Sequence, residues 1–291
     1  MNSSKDFSNK SLVDVQNQTD TREIPLQKVG VKGLRYPVQV LDKADKVQNT
    51  TAEVSLFVNL PDQFKGTHMS RFIEIFHKHH KNLSMKHFLA MLEEIRENLD
   101  AARAFGEMSF PLFLEKAAPV SGQKGMMVYD CTYEGSVSAG DMSNTGETRV
   151  AREFFVSVAV PVTTVCPCSR AISNRGAHNQ RGIVTVKIQC KAHHQSASFF
   201  WIEDIIEIVE KSASSALYSL LKREDEKYVT EYAYDNPRFV EDLVREVYLG
   251  IIEFGVSRKE DFPWFSIEAE NFESIHNHSA FACAEYRSQK G

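Results

Sequence analysis

The chain has 291 residues, 42% of them hydrophobic, and a formal net charge of −5. That is enough apolar material for one large domain or two smaller ones, and the acidic balance argues against a general nucleic-acid binder. No apolar run reaches the roughly 18 residues of a membrane-spanning helix, so no membrane contact is expected.

The first stretch, Met1 to Arg22, is polar and has no apolar segment. It reads as a disordered leader over 1–23, not a secretory signal. Tyr36–Leu41 and Ala52–Leu60 then show strand patterning. Met69–His80 carries Phe72, Ile73, Ile75 and Phe76 on a helical stripe, and Ser84 opens a second, longer helix through Phe88, Met91, Leu92, Ile95 and Leu99. Strands follow at Glu107–Glu115 and Gly125–Glu134, then a polar loop at Gly135–Glu147.

The order repeats in the second part of the chain. Val150–Val165 and Gly182–Cys190 are β-branched runs. Trp201–Leu221 keeps a 3.6 period through Ile202, Ile205, Ile206, Val209, Ala213, Ala216, Leu217 and Leu220, which predicts one helix. Pro237 starts another, with Val240, Leu243, Val244, Val247 and Ile251 in phase. Trp264–Phe272 and Ser279–Tyr286 close the chain as strands. Each half reads strand, strand, helix, helix, strand, strand. The expected class is α+β, with two tandem modules over 24–148 and 149–291, each an antiparallel sheet with two helices on one face. Open sheet edges in such chains are commonly removed by oligomerisation.

Cysteine usage narrows the chemistry. Five cysteines, Cys131, Cys166, Cys168, Cys190 and Cys283, make an odd count. With no secretory signal they read as reduced thiols in the cytoplasm. Cys131, Cys190 and Cys283 stand among apolar neighbours and read as small buried hydrophobes.

Cys166-Pro167-Cys168 differs, because it ends a strand and is followed by His178. Sulfur plus imidazole suits a zinc-like ion, and a cysteine near a cation becomes a thiolate. The segment therefore reads as a metal site or a reactive-thiol site. If the segment stays extended, both thiols face one side. Glu273-Ser274-Ile275-His276-Asn277-His278 joins two strands of the same half and is a source of further ligands. Leu221–Tyr228 reads either as the charged last turn of a helix or as a carboxylate ligand flanked by cations. Glu241, in the first turn of a helix, either complements the dipole or accepts two N–H groups from a purine edge. Lys65 to Arg71 precede a helix and suit an anion. His77, His79, His80, His193 and His194 read as solvated polar positions.

Taken together, five segments resemble the prokaryotic GTP cyclohydrolase type IB enzymes of the tunnelling-fold superfamily. They are Gly66-Thr67-His68-Met69-Ser70-Arg71, Pro161 to Ser169, Gly176-Ala177-His178-Asn179-Gln180-Arg181, Asp225 to Glu231, and Glu270 to Ser279. The resemblance spans about 24 to 287, and only the loop near Gly135–Thr148 looks longer than usual. It implies two tunnelling-fold modules in a homotetramer, and hydrolysis of GTP to 7,8-dihydroneopterin triphosphate and formate, the first step of folate-type pterin synthesis. It also implies a divalent metal held by Cys166, His178, Glu226 and His276: Zn²⁺, with Mn²⁺ or Fe²⁺ as substitutes. Glu241 is implied as the guanine anchor, and Cys168, Glu273 and His278 as groups assisting the chemistry alongside Cys166. Lys65, His68, Arg71, Arg181, Lys222 and Lys227 are the candidates for holding substrate, chiefly its phosphates. A nitrile reductase of the same superfamily, an archaeal-type enzyme with a cyclic phosphate product, and a protein with a structural zinc are the alternatives.

Overall fold

The computed structural model describes residues 16, 18–140, 150–193, 196–197, 200–260 and 262–288. Most of the expected leader, residues 141–147 of the expected Gly135–Glu147 loop, and His194 lie outside them, and the start of that loop, Gly135–Ser138, instead continues the strand before it. The first half consists of β1 (Leu26–Asp42), β2 (Lys46–Leu60), α1 (Met69–His79), α2 (Met85–Asn98), β3 (Arg103–Ala117) and β4 (Lys124–Ser138). The second half begins with β5 (Ala151–Val165), α3 (Pro167–Ile172) and β6 (Asn179–Cys190), followed by the short pair β7 (Ala192–His193) and β8 (Ser196–Ala197). It continues through α4 (Ile202–Ser212), β9 (Ser215–Ala216), α5 (Arg223–Asp235) and α6 (Val240–Arg258), and ends in β10 (Trp264–Asn271) and β11 (Ala280–Arg287).

One antiparallel sheet runs in the order β1-β2-β3-β4-β5-β6-β10-β11. The two halves join where β4 pairs with β5, from Asp130 opposite Ala159 to Ser138 opposite Ala151. Beyond that point β9 takes over, pairing Ser215 and Ala216 with Thr163 and Val162. Strand burial alternates with period two: Val184, Val186 and Ile188 are buried, while Ile183 faces outward. The expected α+β class is observed.

Helix placement follows from the apolar stripes. Ser84 caps α2 by accepting from the His87 N–H at 3.5 Å. Phe88, Leu89, Met91, Leu92 and Ile95 then face the sheet. Gly106 and Gly135 are cross-strand partners under this helix. A Cβ on Gly106 would stand 2.9 Å from the Phe88 ring, so the pair forms a notch that seats it. Phe88 also meets Phe154 of β5 edge-on at 5.7 Å, so the core runs across the junction between halves.

Two helix boundaries differ from those the apolar period predicts. The helix expected over Trp201–Leu221 ends at Ser212. Buried Ser214 accepts the Val165 N–H at 3.0 Å, and the chain becomes strand β9. Serines that bond neighbouring backbone compete with helix, although the apolar period continues. Secondly, Leu221–Tyr228 is not a helix end but contains the start of α5. Glu224, Asp225 and Glu226 lie in its first turn, where carboxylates suit the dipole.

Asp225 is wholly buried and ties this helix to the first half. It accepts from Val120 N and Ser121 N at 2.8 Å, Ser121 Oγ at 2.6 Å and Lys222 N at 2.8 Å. Burial pushes its carboxyl up, but these bonds outweigh burial and hold it well below the usual carboxylate range.

Cys131 and Cys190 are buried as expected, and Cys283 is not: it is exposed on β11. Burial raises both inner thiols, Cys190 to about 12, which keeps them protonated and inert.

The sheet face away from the helices carries exposed apolar side chains. Phe113 opposite Val128 is one pair, and Met126, Ile183 and Phe281 add to it. Among the described residues, no helix is long and apolar enough to cross a membrane.

Candidate functional site

Strand register brings one set of loops together. Val165 pairs with Asn179, so 166–178 is a closed excursion from the ends of β5 and β6. Gly182 pairs with Asn271, and Asn271 with Ala280, which places 272–279 at the same end of the sheet. The entry to α6 is fastened there by a bond from Arg238 N to Val165 O at 3.0 Å. These segments enclose a cavity of about 310 Å³ lined by Cys166, His178, Gln180, Arg238, Phe239, Val240, Glu241, Asn271, Glu273, His276, His278 and Ala280. Its volume lies at the lower end of the range for small-molecule sites.

The Cys166 loop is fastened by its own hydrogen bonds. Cys166 N donates to His178 O at 3.1 Å, and His178 N donates to Ser169 Oγ at 3.1 Å. Ser169 Oγ donates to Cys166 O at 3.2 Å, and Ser169 N approaches Cys166 Sγ at 3.4 Å. Cys166 is the N-cap of α3, with Pro167 at its first position. The segment is therefore helical after Cys166, not extended, and the two thiols part. Cys168 is exposed and does not line the cavity.

His178 is held on one edge. Its Nδ1 lies 3.0 Å from Gln180 Oε1 and 3.9 Å from Glu273 Oε2. His276 and His278 stack with centroids 5.1 Å apart and 20° between planes, and both are exposed at the mouth. Glu241 is the second residue of α6, so its carboxylate stands at a helix N-terminus inside the cavity wall.

Six of the expected residues share this cavity: Cys166, His178, Glu241, Glu273, His276 and His278. Others do not line it. Glu226 is exposed on the first turn of α5, whose buried position is taken by Asp225. Lys65 contacts Gln18, Arg71 donates to Asn98 O at 3.0 Å, and His68 precedes α1, all in the first half. Lys227 pairs with Glu231 at 2.7 Å, and Lys222 and Arg181 are exposed outside the cavity wall.

Gln180, Arg238 and Asn271 line the cavity and were not singled out from sequence. Asn271 is 2% exposed, and its Oδ1 has no partner among the described residues. A Cβ on Gly182 would fall 2.4 Å from that oxygen. Glycine therefore makes room for Asn271, a signal visible only with the register in hand.

Among the described residues, no three or more His, Cys, Asp and Glu side chains already converge as an ion site. The donor set around the cavity nonetheless suits a zinc-like ion: one sulfur, three imidazoles and carboxylates on one wall.

Residues 12–282 match the family model described as type I GTP cyclohydrolase folE2. The chain belongs to this family. A folE2 relative from Syntrophus aciditrophicus (strain SB), called GTP cyclohydrolase FolE2, is 50% identical over 94% of this chain and 99% of its own length. Another of that name, from Geotalea uraniireducens (strain Rf4), is 48% identical over 94% of this chain and 92% of its own. Among solved structures, urate oxidase from Bacillus sp. TB-90 superposes with a TM-score of 0.50 at 9% identity, over 91% of this chain and all of that one. A hyperthermostable mutant of the same enzyme gives the same score over 90% of this chain and 98% of its own. At that identity the likeness concerns the tunnelling fold alone.

Proposed function

We propose that this folE2 family member is a metal-dependent type IB enzyme. It takes GTP and water to 7,8-dihydroneopterin triphosphate and formate, opening folate-type pterin synthesis in the cytoplasm. The observation that carries this is the shared cavity of Cys166, His178, His276 and Glu241 in a chain of this family. Cys166, His178 and His276 would hold the metal, with Glu226 as the fourth ligand. A bound Zn²⁺, Mn²⁺ or Fe²⁺ would lower the pKa of a water from about 15.7 to about 7 and so supply hydroxide at neutral pH.

The chain's own residues do the rest. Glu241 accepts two N–H groups from the guanine edge and orients the base with C8 toward His276 and His278. His278 delivers a proton to N7 as water adds at C8, which opens the imidazole ring. Glu273 takes and returns protons while a second water releases formate. Ring closure after rearrangement of the ribose carbons returns one water, so one is consumed overall. Cations bind the triphosphate, and Arg238, in the cavity wall, joins Lys65, His68, Arg71, Arg181, Lys222 and Lys227 as a candidate.

The open apolar sheet face and the two edge strands support a homotetramer of two-module chains, with the module boundary at 148/149. Assembly also bears on Glu226 and Cys168, both exposed on the single chain, since in a homotetramer they would have to reach a cavity on a neighbouring copy. Incubation with GTP and a divalent ion tests the proposal. One formate per GTP and a fluorescent pterin after oxidation are expected, with the mass of the open triphosphate; a cyclic phosphate mass would point to the archaeal-type reaction. Calorimetry of Glu241→Ala with GTP checks the anchor: metal content is retained and GTP binding is lost.

A further inference from the structure

We infer that Gln180 is a positioning residue that sets the tautomer of His178 and so presents Nε2 of that ring to the cavity. The inference rests on the reading of His178 as a metal ligand. Gln180 and Thr164 are cross-strand partners at the ends of β6 and β5. Thr164 is wholly buried and Gln180 is 6% exposed, so neither amide nor hydroxyl can exchange its partner for bulk water. Gln180 Nε2 donates to Thr164 Oγ1 at 2.8 Å in this arrangement, with Oε1 turned toward the histidine. Oε1 then accepts from His178 Nδ1 at 3.0 Å.

An amide of this kind has a second self-consistent arrangement, with N and O exchanged and an unprotonated Nδ1. The carboxylate of Glu273, 3.9 Å from the same Nδ1, disfavours it. That carboxylate oxygen is too far for a hydrogen bond, but its negative charge density favours a proton over a lone pair on the facing Nδ1, and the proton is donated to Gln180 Oε1. With Nδ1 protonated, the ring's remaining lone pair is on Nε2, the atom a metal requires. The bond from His178 N to Ser169 Oγ holds the backbone of the residue in place.

The test is metal binding without substrate. Zn²⁺ affinity is measured by chelator competition, and the visible absorption of bound Co²⁺ reports the ligand geometry, for the wild type, Gln180→Met, Thr164→Val, Gln180→Glu and His178→Ala. Gln180→Met is expected to weaken Zn²⁺ binding roughly 10–100-fold and to alter the Co²⁺ spectrum. Thr164→Val, which keeps volume and removes only the hydroxyl, loses less. Gln180→Glu restores affinity, because a carboxylate accepts from Nδ1 and from the Thr164 hydroxyl. Unaltered affinity and spectrum in Gln180→Met, with metal lost in His178→Ala, overturn the role of Gln180 alone. Unaltered affinity in His178→Ala overturns the ligand reading and this inference with it. If Gln180→Met does not fold, Thr164→Val against Gln180→Glu carries the same comparison.

Discussion

The two halves are built on one plan and diverge at the same places. In the first half, β1 passes to β2 through 43–45 and β3 to β4 through 118–123. In the second, β5 passes to β6 through 166–178 and β10 to β11 through 272–279. Every proposed metal and base contact in the cavity sits in or beside those longer connections, or at the entry to α6. The first half instead contributes packing: the notch at Gly106 and Gly135, and the hairpin that Asp225 grips. Repetition of the sheet supplies a rigid frame, and the cavity lies where the second half departs from it, while Glu226 on α5 and the cation candidates Lys65, His68 and Arg71 stand outside that cavity.

Substitutions should separate the halves. His278→Ala should lower kcat by roughly 10²–10⁴-fold, the range for loss of a proton-transfer group, with little change in thermal stability. A rate unaffected by this change would remove the division at its most important point. Phe88→Ala should do the reverse. The ring is wholly buried, so truncation is expected to cost about 3–5 kcal/mol by denaturant titration, while metal affinity of the folded protein stays intact.

Asp225→Asn probes the link between the halves, and its effect should depend on pH. A carboxyl held low in the folded protein contributes stability that is complete above its unfolded pKa of about 3.9 and is lost as pH falls through the folded value. The variant should therefore melt below the wild type at neutral pH, and the gap should narrow below about pH 4. A gap that widens in acid would mean that the carboxyl is protonated in the clamp. The smallest effect is expected at Lys43, whose ion pair with Asp204 bridges the halves at the surface. Lys43→Ala should cost no more than about 1 kcal/mol and leave turnover unchanged.

Much of the frame was legible because period and caps coincide. Ser84 marked a helix that does begin at Met85, whereas the helix expected to start at Pro237 begins three residues later, at Val240 after the N-cap Phe239. The end of α4 was not legible, since Ala213, Ala216, Leu217 and Leu220 keep the helical period while Ser214 and Ser215 take backbone partners on β5. That error hid the start of α5 and with it the buried role of Asp225. In the site, Cys166, His178, Glu241, Glu273, His276 and His278 were legible as chemistry-bearing types near strand ends. Cys168 was expected beside Cys166 on an extended segment, and the turn of α3 separates them. Gln180 and Asn271 carried no signal of their own: their meaning comes from the register that sets them against Thr164 and Gly182.

The central claim is that the cavity between β5, β6, β10 and α6 is where GTP reacts. The direct measurement is turnover of GTP by Cys166→Ala, followed by formate release and pterin fluorescence, with bound metal quantified on the same sample. Metal should be depleted and both products absent, in a protein that melts like the wild type. Full turnover by Cys166→Ala would contradict the claim.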